Sequence, residues 1–504
     1  MPRPVLLAAA LLAGCAVGPS FQRPAAPDAR GYTPAPLPAV TAAAPITGGE
    51  AQSFAPGRDV PADWWTLFGN EDLRRLVERA LAANPNIVVA TANLNQAQAL
   101  VRAQAGLFAP VIGANYNISR QQIPGNMAGN ASPGIQGSGR FIGPKLDPTQ
   151  PPYTQGVTFT LHTASLSVGY QPDLFGGVRR GLEAARATRD AQRYALEAAT
   201  VTLATNVVAA AIQEAALREE IAAVREIVAA NAEGLRILRV QQGRGSASGL
   251  DVAAQETALA NARALLPPLN RQLEQTRDLI RVLAGNTPDM DVPETFTLAR
   301  LRLPTDLPVS VPSDLVNQRP DIRIAEEQLR LASAGLGIAI ANRLPVVNLT
   351  AGGGGLAAMF EQMFRQGGPF WAAVGSVSQT VFDGFSLYNQ QAAAREAMVG
   401  AAAQYRATVL TAFQNVADVL QALVADAEAV RTAGEAEAAA RRALELTRAQ
   451  NRMGLVNGLA LLNAQAAFQQ AVLTRVQAQA TRYGDTAALY QALGGGWWNR
   501  PRGT

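Results

Sequence analysis

Apolar and polar residues alternate along four short stretches of this chain. Residues 112–118 alternate isoleucine, alanine or tyrosine with glycine or asparagine, and residues 164–170 repeat this period of two. A third stretch starts at Val346, and a run over residues 370–382 follows it. The alternation predicts four strands, each with one apolar and one polar face. Over about ten residues this is the pattern of an outer-membrane barrel, and a half-buried strand of a soluble sheet alternates in the same way.

Long segments without proline separate these strands from one another. No proline occurs between residues 172 and 267, or between residues 369 and 501. Because proline inside a helix costs about 3 kcal/mol, each gap can hold one very long helix. The first is predicted over residues 178–242, which is roughly 100 Å at about 1.5 Å per residue. A helix of this length implies rod-like packing against several neighbours.

The elements occur twice, in one order. Each copy contains a helix, two strands, a very long helix, a glycine-containing turn and a second helix. The matching landmarks are residues 84–87 with 319–322, 107–110 with 342–345, 173–177 with 381–384, and 245–250 with 454–459. Four landmarks in the same order indicate an internal duplication.

A barrel built from these strands needs more than one chain. About eight strands are the practical minimum for a closed barrel, and open sheet edges are not tolerated in lipid. If the four predicted strands cross a membrane, several chains must pool them, and three chains related by cyclic symmetry give twelve. If the sheet is soluble, no such pooling is required.

The composition excludes several classes of function. The net charge of +4 comes from 43 basic and 39 acidic residues without a basic run, so no nucleic-acid partner is expected. There is one histidine, His162, which argues against His-based metal sites and a Ser-His-Asp triad. We therefore expect no enzyme activity, no metal and no cofactor other than a covalent lipid. Trp64 and Trp65 are expected to pack a tether onto the helices.

The N-terminus has the features of a secretory signal. Arg3 is followed by an apolar run over residues 5–13, which is too short to span a bilayer, since that takes about 20 residues. The sequence Leu-Ala-Gly-Cys that ends at Cys15 resembles the bacterial lipobox. That resemblance implies that Cys15 is lipidated and that Ala16 directs the protein to the outer membrane. The alternative is a buried cysteine beside a generic signal peptide.

A stretch rich in proline, alanine and glycine follows Cys15 and indicates an extended tether. We divide the chain into a signal peptide (1–14), a lipid-anchored extended tether (15–62), a first repeat (63–285), a linker (286–312), a second repeat (313–493) and a C-terminal tail (494–504).

Taken together, the motifs resemble the TolC-like outer-membrane efflux family, in particular its lipoprotein branch, the NodT type. The residues that carry the resemblance are 12–15, 63–68, 83–86, 107–110, 318–322 and 381–384. The resemblance implies a mixed α and β membrane protein: a trimer with a twelve-stranded β-barrel that continues into a long periplasmic α-helical barrel. It also implies a passive outer-membrane exit channel for drugs or other small toxic compounds, served by a periplasmic adaptor protein and an inner-membrane pump.

The same resemblance assigns roles to the two glycine-containing turns, which mark the periplasmic tip in this family. It implies that Gly245, Gly249, Gly454 and Gly458 lie in turns that contact the adaptor. Asp251, Leu459, Leu462 and Asn463 are the candidates for the periplasmic constriction. Family members commonly carry an acidic residue in the Leu-Leu-Asp run after the second turn, where this chain has Asn463, so an acidic ring there is in question. Ordinary helix packing beyond a turn remains the alternative role.

Two other functions fit the same sequence features. The first is the exit duct of a type I protein secretion system, which has the same architecture. The second is a periplasmic structural lipoprotein, a helical rod without a pore, in which the strands are soluble. Conductance in planar bilayers distinguishes the rod from a channel, and toxic-compound susceptibility distinguishes efflux from protein secretion.

Overall fold

The computed structural model describes residues 16–29, 31–123 and 157–500. The predicted signal peptide and Cys15 lie outside the described residues, as does most of the predicted loop between the first two strands. The helices are α1 (Glu71–Ala83), α2 (Pro85–Gly106), α3 (Gly177–Gly243), α4 (Gly249–Ala264), α5 (Leu266–Leu283), α6 (Pro312–Gln318), α7 (Pro320–Ala341), α8 (Ser386–Arg452) and α9 (Gly458–Ala492). The strands are β1 (Ser53–Pro56), β2 (Val111–Ile123), β3 (Val157–Tyr170), β4 (Asp306–Val309), β5 (Val346–Ala357) and β6 (Pro369–Ser378).

The two long helices predicted from the proline-free segments are present. Both α3 and α8 contain 67 residues. The proline landmarks of the two copies are helix starts, because Pro85 and Pro320 are the first residues of α2 and α7. Proline suits this position because its fixed φ matches the helix and the missing N–H has no intrahelical partner there.

Two compact units make up the chain. One consists of Met1–Gln22, Gln98–Ala187 and Arg330–Gly400, and the other of Arg23–Ala97, Thr188–Leu329 and Ala401–Thr504. Each unit takes segments from both sequence copies, so the duplication does not correspond to two separate domains. The physical reason is visible in the first unit, where β3 of the first copy hydrogen-bonds to β5 of the second.

The first unit contains a four-stranded antiparallel sheet in the order β2-β3-β5-β6. Strand β6 ends at Ser378, before the predicted end of this run at residue 382, because Ser378 is its last residue paired with β5. Strands β2 and β6 each have one edge without a partner strand among the described residues.

The register assigns side chains to the two faces of this sheet, since directly paired residues point to the same side. The apolar face includes Ile112, Ala114, Tyr116, Ile118, Leu166, Val168, Ala351 and Trp371, together with His162. The opposite face, which we call the polar face, includes Asn115, Asn117, Thr163, Ser165, Ser167, Asn348 and Thr350, and it also has the apolar residues Val111, Phe370 and Val374.

Residues of the apolar face are exposed in the single chain. Ile112 is 68% exposed and Trp371 is 82% exposed, and every position of β6 is exposed. A half-buried soluble sheet would cover its apolar side with other elements of the chain. A large uncovered apolar surface instead requires lipid or other chains, which favours the barrel over the soluble sheet.

The second unit has the main apolar core. Trp64 is fully buried and stacks on Tyr490, with ring centroids 5.1 Å apart. Trp65 and Phe68 belong to the same cluster, so the packing role predicted for the two tryptophans is confirmed. The predicted linker also contributes, because Phe296, Leu298, Leu301, Leu303 and Leu307 are all buried in this core.

The segment preceding the core is held in place by a buried arginine. The Arg482 side chain is fully buried. Its guanidinium donates to the Gly48 carbonyl at 3.0 Å, the Glu50 carbonyl at 2.7 Å and the Thr41 hydroxyl at 3.1 Å. It also donates to the Gln52 side-chain oxygen at 3.2 Å. The predicted tether is therefore irregular in conformation but clamped to helix α9 over residues 41–52.

Candidate functional sites at the helix turns and the sheet

The first predicted turn connects α3 to α4 in the second unit. Gly245 has φ +76°, a backbone conformation that glycine adopts without strain. The Ser246 amide donates to the Gln241 carbonyl at 2.9 Å, which satisfies a carbonyl at the end of the helix. Gly249 is the first residue of α4 and does not have a positive φ. Of the two glycines predicted in this turn, only Gly245 has a backbone conformation that favours glycine.

Asp251 caps the following helix. The Ser248 hydroxyl accepts from the Asp251 amide at 3.2 Å, and the Asp251 carboxylate accepts from the Ser248 amide at 3.0 Å. The Ser248 hydroxyl also donates to this carboxylate at 2.7 Å. These bonds lower the pKa of Asp251, because they stabilise the ionised carboxylate. Asp251 therefore has a structural role at the start of α4, in addition to the constriction role that the sequence suggests.

The second turn repeats this geometry with different residues. Gly454 has φ +74°, and the Leu455 amide donates to the Gln450 carbonyl at 2.9 Å. Asn457 replaces serine as the N-cap of α9, since its side-chain oxygen accepts from the Ala460 amide at 3.0 Å. Gly458 is the first residue of α9. The Asn457 cap was absent from the sequence-based predictions, although asparagine before a helix is a recognisable capping signal.

The structure brings the two turns together. A Cβ placed on Gly458 would lie 3.7 Å from a carboxylate oxygen of Asp251. Leu459 and Asn463 are exposed on α9, and Leu462 is half-buried. All four predicted constriction residues therefore lie within the first two turns of α4 or α9.

A set of exposed side chains that the sequence reading missed surrounds the same turns. Leu250 is 79% exposed and Leu455 is 69% exposed. Met453 is exposed beside them. Three exposed arginines, Arg244, Arg448 and Arg452, make no ion pair with any residue in the described ranges. We call these six residues the tip patch. The sequence signal that could have predicted the tip patch is the presence of apolar residues within otherwise polar turns.

The polar face of the sheet has no charged side chain within strands β2, β3, β5 and β6 as described. Its asparagine, serine, threonine and glycine residues suit a water-filled surface without selecting for either sign of charge. On the opposite face, the Tyr116 hydroxyl lies 2.9 Å from His162 Nδ1. His162 is thus on the apolar side of the strand where the sequence placed it.

Comparisons with known proteins identify the family and the fold of the chain. The model of the family described as outer membrane efflux protein matches residues 76–286 and 311–495. The toluene efflux pump outer membrane protein TtgC of Pseudomonas putida is 27% identical over 97% of this chain and 94% of that protein. The outer membrane protein OprJ of Pseudomonas aeruginosa is also 27% identical, over 98% of this chain and 95% of its own. The solved outer-membrane channel OprN is 25% identical with a TM-score of 0.81, covering 96% of this chain and 100% of that one.

Proposed function

The chain belongs to the outer membrane efflux protein family, and from this premise we propose that it exports small toxic compounds as one protomer of a homotrimer. It is an outer-membrane efflux channel, and the family is one of transport channels rather than enzymes. The observation that carries the proposal is the antiparallel sheet with one uncharged polar face and one apolar face on which residues such as Ile112 and Trp371 are exposed. A relative named for toluene efflux supports small apolar compounds as the substrate class.

The free edges of the sheet support an assembly of several protomers, and the family fold supports three. Four strands are fewer than the roughly eight that close a barrel, and lipid does not tolerate unpaired edges. Strands β2 and β6 run in opposite directions along the sheet. Strand β6 of one protomer can therefore pair with β2 of the next in the same antiparallel pattern, and three protomers close the ring.

The tip patch is the proposed docking surface for a periplasmic adaptor. Leu250 and Leu455 present apolar area to solvent in the single chain, and exposed apolar patches of this kind mark interaction sites. The chain has no phosphate-binding loop: the glycines at 352–355 lie in strand β5 and are not followed by the required Lys-Ser/Thr. We infer that a partner pump in the inner membrane supplies the energy for transport.

The first experiment measures single-channel conductance of the purified full-length protein in planar bilayers, with the oligomer mass determined in parallel. We expect a trimer with a small, stable conductance, because the proposed constriction at the periplasmic end would limit the current. A monomer without conductance would instead favour the non-pore structural lipoprotein.

Deletion of the gene separates efflux from protein secretion. We expect the deletion strain to become more susceptible to small apolar toxic compounds, and a plasmid copy to restore resistance. Unchanged susceptibility to every compound, together with loss of a secreted protein, would favour the secretion duct.

We further propose that Cys15 carries the lipid anchor. Ala16 packs on Gly176, where an added Cβ would lie 2.6 Å from the Ala16 Cα. The Val17 amide donates to the Phe175 carbonyl at 3.0 Å, and Arg180 donates to the Val17 carbonyl at 3.1 Å. These contacts lie only a few residues beyond the end of β3 at Tyr170. Acyl chains attached to residue 15 would start beside the periplasmic end of the sheet, where the inner leaflet would be.

Replacing Cys15 by serine should abolish acylation, because serine has no thiol to receive the diacylglyceryl group. We expect metabolic labelling with fatty acid to mark the wild-type chain and not Cys15→Ser. The matched control is Ala16→Gly, which leaves the thiol intact and should keep the label. A wild-type chain that never takes up fatty acid contradicts the proposal.

A further inference from the structure

The apolar face of the barrel sheet contains a groove close to the end of the strands that is opposite to Ala16. Its floor consists of the small residues Ala114, Ala164 and Gly353, which come from three neighbouring strands. Tyr116 and Leu166 form its sides, and Phe364 covers it from the β5–β6 connection. The volume is about 460 Å³, within the range of small-molecule sites of about 300–1,000 Å³.

The connection between β5 and β6 folds onto this same face. Gly355 is buried beneath the Met363 carbonyl. The approach is so close that a Cβ on Gly355 would lie 2.3 Å from the Met363 carbonyl oxygen. Phe360 makes edge contacts with Tyr116 and with His162, at centroid distances of 5.9 Å and 6.2 Å. The groove is therefore a shallow, open depression with an aromatic border.

Polar groups lie beyond the aromatic border, towards the end of the strands that is opposite to Ala16. Arg120 lies on the same face as Tyr116, two strand positions beyond Ile118, and it is paired with Thr160. It is exposed and makes no ion pair within the described residues. If the Tyr116 hydroxyl donates to His162 Nδ1, the ring proton lies on Nε2, which is then a free donor. The connection adds Glu361 and Arg365, one charge of each sign, so Arg120 gives the described part of this surface its net positive charge.

We propose that this groove binds one acyl chain of an outer-leaflet lipid whose anionic headgroup lies against Arg120. The order of groups from the groove outward is apolar floor, aromatic border and cation, which matches the order of acyl chain, interface and phosphate in a lipid. The charge of Arg120 selects an anionic headgroup over a zwitterionic one. The small residues of the floor provide the volume that a chain needs, since larger side chains would fill the cavity.

Trp371 provides a reporter beside the groove. It faces the same side as Gly353, its paired residue in β5, and is 82% exposed. It is the one tryptophan in strands β2, β3, β5 and β6 as described, while the chain has five in all. The full-length protein is reconstituted into phosphatidylcholine vesicles that contain either brominated phosphatidylglycerol or brominated phosphatidylcholine, and quenching of Trp371 is measured.

The inference rests on the proposed placement of this sheet in the bilayer. Comparing the two brominated lipids distinguishes failure of the lipid site from failure of the membrane placement. For the wild type we expect anionic lipid to be preferred about fivefold at Trp371, the effect of one cation at a membrane surface. In Arg120→Gln the ratio of quenching by the anionic lipid to quenching by the zwitterionic lipid should fall to near one. The control Arg395→Gln replaces an exposed arginine of helix α8 and should leave this ratio unchanged. No quenching by either lipid would overturn both the site and the membrane placement. Equal quenching by both lipids in the wild type would overturn the lipid site alone.

The floor of the groove is tested separately. Ala114→Leu fills the cavity with an apolar side chain that a lipid-facing strand tolerates, so we expect it to weaken retention of the anionic lipid. The matched control is Ala351→Leu, on the same face but outside the groove. Native mass spectrometry counts the phosphatidylglycerol retained by each protein after detergent exchange. Equal retention by Ala114→Leu, Ala351→Leu and the wild type would contradict the assignment of the groove.

Discussion

Replacing Arg482 by methionine is expected to destabilise the protein by at least about 3 kcal/mol. Methionine retains apolar volume at this position but leaves three acceptors without the guanidinium donor: the carbonyls of Gly48 and Glu50 and the Gln52 side-chain oxygen. The Thr41 hydroxyl still accepts from the Gln52 amide at 3.0 Å. Each unsatisfied buried acceptor costs about 1–3 kcal/mol, with partial relaxation lowering the sum. The segment 41–52 should then become susceptible to protease at temperatures where the wild type resists cleavage.

The effect of this substitution should depend on pH. Burial, together with the hydrogen-bonded carboxyl of Asp485, raises the pKa of Asp426 to about 7, while the charge of Arg482 opposes the shift. A carboxyl whose pKa is raised on folding binds its proton more tightly in the folded state. The stability that the protonated Asp426 contributes is therefore lost as the pH rises from 3.8, the usual pKa of this carboxyl, through about 7. Removing the nearby cation worsens this loss, so Arg482→Met should be more destabilising at pH 8 than at pH 5.

Thermal unfolding of the detergent-solubilised protein at both pH values measures these effects. The matched control is Arg442→Met, because Arg442 is exposed and makes no ion pair among the described residues. It should unfold within a degree or two of the wild type. If Arg482→Met unfolds at the wild-type temperature with residues 41–52 still protected, the clamp does not hold this segment.

Introducing aspartate at both Leu250 and Leu455 should abolish efflux. Both leucines are largely exposed in the tip patch, so the substitutions leave the core of the protomer unchanged. At an interface with an adaptor, each carboxylate would have to lose its hydration at a position where the adaptor contacts an apolar side chain, which costs several kcal/mol in total. A loss of this size lowers the affinity by more than a hundredfold at about 1.4 kcal/mol per tenfold, and resistance should fall to that of the deletion strain.

Two controls make the result specific for docking. The double variant Leu250→Met and Leu455→Met keeps the apolar surface and should restore resistance. The aspartate variant itself should still insert as a trimer and conduct in planar bilayers, which shows that the channel is intact. Full resistance from the aspartate variant would mean that the tip patch is not the docking surface.

Elements whose signals are local could be predicted from the amino-acid sequence. Alternation with a period of two places β2 and β3 on the chain, and the absence of proline marks α3 and α8, because both patterns depend only on neighbouring residues. The prolines at 85 and 320 are helix starts in both copies. Ser248 with Asp251 is likewise a short-range capping signal. The family resemblance added the outer-membrane channel, and the family match agrees with it.

Contacts between segments that are distant in the sequence are visible only in the folded chain. The clamp joins Arg482 to residues that precede it by more than 400 positions, and no periodic pattern encodes that approach. The linker enters the core through Phe296 and Leu307 for the same reason, since its irregular sequence has no period to interpret. The groove under Phe364 depends on the register of three strands and the path of a connection. Sequence patterns report which face of an element is apolar, whereas packing decides what that face contacts.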